Sequence, residues 1–359
     1  MVFLKLKFKY TYKKAENLPE NYIVLANHLT DYDMLFVAAA FPRQMYFVGS
    51  EHISRWKYLG KLIKFLFEPI MRYKGSVASS TVMDILRKVR KGNSVCVFAE
   101  GVRSWDGTTS PILPSTAKLI KKANCGLITF KITGAYFVSP MWSGASLRKG
   151  PVHGEIANIY TKEQIAQMTN DEVYAAIVGD LQENAYERQL ANPQKYKGKA
   201  LAEHLENLIF ICPECHEKDT LVSSGDTVRC KKCGLEFKYD EYGMLSNIPF
   251  QTVYDVANWQ KAMVQKDIEN GVIYQTPKAN ISTVKNHQEE FIATGELLIS
   301  SQSLKCAHLE FPIDDISELA MHGQHTIVCT VNKDYYEIKT DKTVNTLKFL
   351  LYYNGLKTK

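Results

Sequence analysis

Short apolar runs alternate with amphipathic stretches over residues 1–200. Tyr22–Ala26 and Ser94–Ala99 are apolar almost throughout, which is typical of strands that are buried on both faces. Between them, Ser79–Arg90 has a helical spacing of apolar residues, and Gly92 follows as the expected C-cap. Leu127–Ile132 predicts a further strand. This order of strand, helix and strand predicts an α/β fold, with a sheet flanked by helices and chemistry at the strand ends.

The rest of the chain divides into segments of different pattern. Residues 1–14 alternate apolar residues with lysine, which predicts a strand with one basic face, and residues 162–190 predict polar helices that end the first domain. Residues 290–359 predict strands joined by turns and closed by a helix over 343–353, an arrangement suggestive of a pleckstrin-homology-like fold. We therefore predict four regions: an α/β domain over 1–200, a cysteine-bearing module over 205–242, a connecting helix (253–270) and linker over 243–280, and a β-rich domain over 281–359.

Composition and charge narrow the class of protein. The chain has 359 residues, of which 45% are hydrophobic and 23% charged, as expected of a globular protein with more than one domain. No run reaches the roughly 18 apolar residues of a membrane-spanning helix, and the N-terminus lacks the features of a signal peptide, so we expect an intracellular protein. The segment from Arg55 to Lys91 contains ten basic and two acidic residues, so its net charge is +8 (10 − 2). Such a segment favours phosphate, on nucleic acid, on a lipid surface or on a soluble ligand.

Asn27–Asp33 contains a candidate acid–base pair. His28 can take up a proton near neutral pH, and the Asp33 carboxylate can hold its ring in one orientation. Residues five apart do not face each other on one helix, so the pair can meet only if His28 lies in a loop and Asp33 in the first turn of the next helix. Thr30 or Asp31 is the predicted N-cap of that helix. The alternative is an ordinary capped helix with a surface histidine nearby.

A second polar motif, Phe98–Ser104, follows a predicted strand. Gly101 permits a tight turn, Arg103 offers a planar fork suited to phosphate, and Ser104 adds a hydroxyl donor. An arginine in a turn more often forms a surface ion pair. The combination with the first motif, again after a strand, is what makes this segment informative.

With these motifs, the chain resembles the glycerolipid acyltransferase superfamily, in particular the 1-acylglycerol-3-phosphate acyltransferases. Asn27–Asp33 is similar to the N-H-x-x-x-x-D block of that family, and Phe98–Ser104 to its F-P-E-G-x-R-S block. Pro69–Arg72 and Leu127–Gly134 lie where the family has its other two blocks. The resemblance covers residues 18–160 and implies a mixed sheet flanked by helices. The chain departs from the family pattern at Ala99, Val102 and Phe130.

The resemblance implies a role for each matching residue. His28 would be the general base that activates the free hydroxyl of a lysophospholipid, most simply 1-acylglycerol-3-phosphate, and Asp33 would orient its ring. The acyl donor would be acyl-CoA or acyl-carrier protein, with no organic cofactor, in phospholipid biosynthesis. Asp31 is the alternative to Asp33 as the partner of His28, but the favoured role of Asp31 is to cap the helix. The acceptor would be bound by Glu100, Gly101, Arg103 and Ser104, with Arg103 and Arg72 on its phosphate.

Membrane contact is expected from the substrate, and Trp56–Tyr73 is the candidate segment. It combines apolar and aromatic residues with three lysines and Arg72, as interfacial segments do, and the alternative is a core helix with its lysines outside. We expect a cytoplasmic protein that is peripherally associated with the inner face of the membrane.

Two C-x-x-C pairs predict a zinc ribbon. The pairs are separated by fourteen residues, a spacing that suits tetrahedral Zn²⁺ in a reducing compartment. Four sulfurs close the coordination shell, so the zinc would be structural rather than catalytic. The predicted ligands are Cys212, Cys215, Cys230 and Cys233.

Two functions other than an enzyme are alternatives. A catalytically silent protein that binds lipid or a partner through its C-terminal domains is the main alternative. Nucleic-acid binding through the ribbon is not expected, because acidic residues oppose Lys231 and Lys232 and no aromatic platform is evident.

Overall fold

A computed structural model of the protein describes residues 2–50, 68–72, 79–144, 146–285 and 288–357. The described residues form two compact units. The first contains the chain up to Arg72, residues 79–199 and Glu241–Gly243, and the second contains residues 200–240 and those from Met244 onward.

The first unit is built on a seven-stranded mixed sheet in the order β1-β7-β6-β2-β5-β3-β4. Five neighbours (β6, β2, β5, β3 and β4) run parallel, β7 is antiparallel to β6, and β1 is parallel to β7. Strand β2 lies in the middle and every one of its residues is buried, as its apolar sequence predicts. The strands are β1 (Thr11–Tyr12), β2 (Tyr22–Ala26), β3 (Tyr46–Ser50), β4 (Ile70–Arg72), β5 (Val95–Phe98), β6 (Gly126–Thr133) and β7 (His153–Tyr160).

Helices cover this sheet. One core cluster joins Ile23 and Leu25 of β2 to Ile85 on one helix and to Ile177 on another. The predicted helix over Ser79–Arg90 and the predicted helices within 162–190 are confirmed. The helices are α1 (Val2–Phe8), α2 (Asp33–Ala40), α3 (Ser79–Arg90), α4 (Ser115–Ala123), α5 (Ala135–Val138), α6 (Lys162–Gln167), α7 (Asn170–Leu181) and α8 (Ala185–Ala191), with a 3₁₀ turn at Met141–Ser143.

Residues 2–8 are a helix, so the strand predicted over residues 1–14 is wrong there, while Thr11–Tyr12 form the short strand β1. Leu4 and Phe8 are 4% and 0% exposed and lie one helical turn apart. The pattern of residues 2–8 fits both a strand and a short helix, and packing of Leu4 and Phe8 selects the helix.

The second unit begins with a small antiparallel sheet in the order β11-β10-β9-β8, followed by one long helix. That helix, α9 (Val253–Glu269), matches the predicted connecting helix and begins with a capping box between Thr252 and Asp255. The strands are β8 (Leu221–Ser224), β9 (Thr227–Cys230), β10 (Glu236–Tyr239) and β11 (Leu245–Ser246).

The chain continues into an antiparallel seven-stranded sheet, in the order β15-β14-β13-β12-β18-β17-β16, and a last helix. This meander with one helix confirms the predicted β-rich, pleckstrin-homology-like region. Its elements are β12 (Tyr274–Lys285), β13 (Gln288–Ile299), β14 (Ser303–Cys306), β15 (Leu309–Pro312), β16 (Ile316–His322), β17 (Thr326–Val331), β18 (Asp334–Thr340) and α10 (Leu347–Lys357). Among the described residues, no helix combines the length and apolar character needed to cross a bilayer.

Candidate active site

The sheet of the first unit brings the two polar motifs together. Strands β2 and β5 are parallel neighbours, so the segments that follow them leave the sheet side by side. Two backbone hydrogen bonds connect these segments: Ala99 N–H donates to Ala26 O (3.0 Å), and Ser104 N–H donates to His28 O (2.9 Å). Strand β4 ends with Arg72 at the same edge.

His28 and Asp33 are in contact. His28 lies in the loop after β2, Asp33 is the first residue of α2, and His28 Nδ1 is 2.9 Å from Asp33 Oδ2. A carboxylate at this distance requires the proton on Nδ1, which leaves the Nε2 lone pair available to accept a proton. The His28 side chain is 21% exposed, so a substrate can reach it.

Asp33 is held rigidly. Its side chain is fully buried and accepts hydrogen bonds from Leu29 N–H (2.6 Å), Thr30 N–H (2.8 Å) and the Thr30 hydroxyl (2.7 Å). Its position at the N-terminus of α2 further stabilises a negative charge. The backbone of residues 29–30 therefore wraps around the carboxylate and fixes the ring of His28 through it.

Phe98 and Glu100 support His28 from the second motif. The Phe98 ring stacks on the imidazole with centroids 4.4 Å apart. The Glu100 carboxylate accepts His28 N–H at 2.7 Å and Ser110 N–H at 2.6 Å. Burial raises the pKa of Glu100 to about 8, and these two N–H donors oppose the rise. Glu100 thus positions the backbone of the loop that carries His28.

Arg72 and Gly101 are in close contact. Gly101 has a φ of +68°, and a Cβ placed on it would lie 2.7 Å from Arg72 Nη1. A Cβ at this position would displace the end of the Arg72 side chain, and the positive φ itself favours glycine. The structure therefore places Arg72 next to the Gly101 turn, and binding of an acceptor there stays a prediction.

Arg103 is engaged by the protein itself. It donates to Leu29 O (3.3 Å), Asp31 Oδ2 (2.8 Å) and Ser139 O (2.8 Å), and its side chain is 12% exposed. The prediction of Thr30 or Asp31 as the N-cap of α2 is wrong, because the N-cap is Tyr32 and it has no side-chain cap. Asp31 pairs instead with Arg103, and the Thr30 hydroxyl accepts Tyr32 N–H (3.0 Å) just before the helix.

Ser104 lies beneath the site. It is fully buried, and its hydroxyl accepts Gly107 N–H at 2.9 Å. Asn27 has a structural role that the sequence alone does not predict: its amide donates to Ile132 O and accepts Ile132 N–H, both at 2.8 Å, which connects the end of β2 to β6. The sequence signal for Asn27 is its position in the first block, and the sequence signal for Phe98 is its position in the second block.

The four predicted zinc ligands converge. Their sulfur atoms lie within 4.8 Å of one another, with Cys212–Cys233 at 3.7 Å and Cys215–Cys230 at 3.8 Å. Tetrahedral zinc with Zn–S bonds of about 2.3 Å needs sulfurs about 3.8 Å apart, so the site fits the ion.

Of the predicted interfacial segment Trp56–Tyr73, residues 56–67 and 73 lie outside the described part of the chain.

Comparison with known proteins gives matches to two family models and to solved structures. Residues 9–133 match the acyltransferase family model, and residues 205–237 match a zinc-ribbon family described as the 7 kDa subunit of DNA-directed RNA polymerase. The 1-acyl-sn-glycerophosphate acyltransferase PlsC from Thermotoga maritima matches with 18% identity over 50% of this chain and 72% of its own (TM-score 0.42). The N-terminal PH domain of human ARAP2 matches with 10% identity over 24% of this chain and 80% of its own (TM-score 0.20). No curated protein matches.

The first unit carries an acyltransferase domain, shown by the family match over residues 9–133. The predicted acyltransferase domain is therefore confirmed as such, and it is followed by a segment over 205–237 that matches a zinc-ribbon family.

Proposed function

We propose that the protein transfers a fatty acyl group from a thioester, acyl-CoA or acyl-carrier protein, to the free hydroxyl of a lysophospholipid, 1-acylglycerol-3-phosphate first of all. The observation that carries this proposal is the His28–Asp33 pair, joined at 2.9 Å and located beside Gly101 at the carboxyl edge of the sheet. The family match supports the class of reaction, and the arginine over Gly101 supports a phosphorylated acceptor.

The proposed reaction is a direct transfer. His28 Nε2 accepts the proton of the acceptor hydroxyl while the oxygen attacks the thioester carbonyl. The tetrahedral intermediate collapses, the C–S bond breaks, and the imidazolium returns its proton to the departing sulfur. Asp33 stabilises the positive charge on the ring between the two proton transfers. The substrate supplies the nucleophile, so no acyl-enzyme forms.

Thiol release tests the reaction. We expect the protein with acyl-CoA and lysophosphatidic acid to release CoA only when the acceptor is present, and His28→Ala to lower kcat by about 10²- to 10⁴-fold. His153→Ala is the matched control, because His153 is a partly exposed histidine on β7 of the same unit. Acyl-carrier protein replaces CoA in a parallel assay.

A panel of acceptors tests the substrate class. Lysophosphatidic acid, glycerol-3-phosphate, lysophosphatidylcholine and monoacylglycerol separate the need for a terminal phosphate from the need for an acyl chain. We expect the highest kcat/KM with lysophosphatidic acid and the lowest with monoacylglycerol, which offers Arg72 no phosphate. If neither thioester donor is consumed and His28→Ala changes nothing, the reaction is disproved and a silent lipid- or partner-binding protein is favoured.

We also propose that the protein associates peripherally with the inner face of the cytoplasmic membrane. This location is supported by the proposed reaction, because its phospholipid product is insoluble in water and would enter the membrane. Fractionation of cells that express the full chain tests it: the protein is expected in the membrane pellet and to leave it with high salt.

A further inference from the structure

Arg103 uses all three nitrogens of its guanidinium within the protein. Nε donates to Leu29 O at 3.3 Å, Nη2 donates to Ser139 O at 2.8 Å, and Nη1 donates to Asp31 Oδ2 at 2.8 Å. The first two partners are neutral backbone carbonyls, and the third is a charged carboxylate. The side chain of Arg103 is only 12% exposed, so its positive charge needs a charged partner, and of these three groups Asp31 supplies it.

The three partners of Arg103 differ in how easily they can leave. Leu29 is 1% exposed and its N–H donates to the Asp33 carboxylate at 2.6 Å, so its carbonyl is fixed. Ser139 is 4% exposed and its N–H donates to Ala135 O at 3.3 Å. Asp31 is 72% exposed, and an ion pair with so exposed a carboxylate contributes little to stability. The carboxylate of Asp31 can therefore turn into water while the two carbonyls keep the guanidinium in place.

A phosphate is a stronger partner for the same nitrogen. A phosphomonoester carries a charge of about −1.5 to −2 near neutral pH and has three acceptor oxygens, whereas the carboxylate of Asp31 has a single charge and two oxygens. Exchange of one anion for the other leaves the charge of Arg103 balanced throughout. The position also belongs to the candidate active site, because Ser104, next to Arg103, donates its N–H to His28 O at 2.9 Å.

We propose that Asp31 is a specificity-determining residue that competes with the phosphate of the acceptor for Arg103. In the free protein the carboxylate occupies Nη1, and the arriving phosphate displaces it into solvent. Asp31 thereby raises the KM for a phosphorylated acceptor. It leaves kcat unchanged, because the ion pair is already broken in the complex that reacts. This inference rests on the proposed function for the identity of the acceptor.

Binding measured without a thioester tests the competition separately from the reaction. The full chain is titrated in a calorimeter with a short-chain, water-soluble lysophosphatidic acid, and the monoacylglycerol of the same chain is the reference without phosphate. We expect Asp31→Asn to lower the Kd for the lysophosphatidic acid about two- to fivefold and to leave the Kd for the monoacylglycerol unchanged. Asp31→Glu restores the competing charge and is expected to return the native Kd.

Asp84→Asn is the matched control for loss of a surface carboxylate. Asp84 is 46% exposed and pairs with Arg87 on α3 of the same unit, so its replacement also breaks an exposed ion pair. We expect it to leave the Kd for both ligands unchanged.

The Arg103→Gln background separates competition from a general effect of charge. Without the guanidinium there is nothing for the two anions to compete for, so Asp31→Asn is expected to leave the Kd unchanged there. Both members of that comparison lack Arg103, so any shift of the loop is common to them. Equal Kd values for the native chain and Asp31→Asn, an equal gain in the Arg103→Gln background, or no binding of the lysophosphatidic acid by either chain overturns the proposal.

Thiol release distinguishes failure of this proposal from failure of the proposed function. With lysophosphatidic acid as acceptor, Asp31→Asn is expected to lower KM by the same factor as Kd, with an unchanged kcat and an unchanged KM for the thioester. If no thioester is consumed but the gain in binding is present, the reaction is disproved and the competition stands. If thioester is consumed and KM is the same in both chains, the reaction stands and the competition is disproved.

Discussion

Asp31 and Asp33 are two residues apart, and their surroundings give them different tasks. Asp33 is fully buried, accepts three hydrogen bonds from residues 29–30 and holds His28 Nδ1. Asp31 is 72% exposed and pairs with Arg103. A buried carboxylate with this many donors can hold an imidazole in one orientation, whereas an exposed ion pair contributes little to stability.

Substitution of each aspartate by asparagine separates the two tasks. Asp33→Asn places an amide group among three donors and removes the charge that stabilises the imidazolium, so we expect kcat to fall about a thousandfold. Asp31→Asn, the control, loses only an exposed ion pair and is expected to keep kcat within about threefold. Steady-state thiol release measures both. Similar losses for the two variants would show that Asp33 is not the specific partner of His28.

Gly101 and Gly92 offer a matched test of the arginine contact. Both have positive φ, +68° and +80°, so Ala at either position adds backbone strain of about 1–2 kcal/mol. Only at Gly101 does the new Cβ meet Arg72, because nothing lies within 4 Å of a Cβ at Gly92. We expect Gly101→Ala to raise KM for lysophosphatidic acid at least about tenfold, and to leave KM for the thioester unchanged.

The outcome at Gly92 decides how the result is interpreted. Gly92→Ala is expected to lower the free energy of unfolding like Gly101→Ala while leaving both KM values unchanged. A rise in KM for the thioester in Gly101→Ala would instead assign the turn to the acyl donor.

At the scale of elements, the sequence predicts buried strands well and short edge elements poorly. Tyr22–Ala26 and Ser79–Arg90 are located from their apolar spacing alone, since that spacing matches the periods of strand and helix. Residues 2–8 fit both periods, and only packing on α2 makes them a helix. The predicted meeting of His28 and Asp33 follows from their separation, but the donors around Asp33 depend on the path of the loop, which no local pattern encodes.

Within the second unit, one side chain on α9 completes the hydrogen bonding of the segment that leads into the ribbon. Gln260 is 1% exposed; it accepts from Phe210 N–H (2.8 Å) and Ile211 N–H (3.1 Å) and donates to Leu208 O (3.0 Å). An extended segment packed against a helix needs partners for its backbone, and this amide supplies three of them.

Gln260→Ala removes all three partners at once. We expect it to lower the free energy of unfolding of the second unit by about 3 kcal/mol, because buried backbone groups lose their hydrogen bonds. Gln265→Ala, on the same helix and only partly buried, is expected to change it by less than about 0.5 kcal/mol. Urea titration followed by tryptophan fluorescence measures both, with Trp259 on α9 as a reporter. Equal stability of the two variants would mean that water replaces the lost contacts.

At the scale of the molecule, the zinc ribbon and the β-rich region share one core. Phe210 and Ile211, directly before the first ligand, belong to the same apolar cluster as Ile281 and Phe349. Lys348 of α10 reaches the ribbon and donates to Asp219 at 2.5 Å. Folding of the ribbon and folding of the β-rich sheet are therefore coupled, while the acyltransferase unit has its own core.

Removal of zinc is accordingly expected to loosen the second unit as a whole. Without metal, the four cysteines cannot hold the ribbon, and the core loses the support of Phe210 and Ile211. Hydrogen exchange of the full chain after chelation should show lost protection in residues 200–240 and in the strands over 274–340, with unchanged protection in β2, β5 and β6. Added Zn²⁺ restores the protection, which is the control for damage by the chelator. Loss confined to residues 205–240 would mean that the ribbon folds independently of the β-rich region.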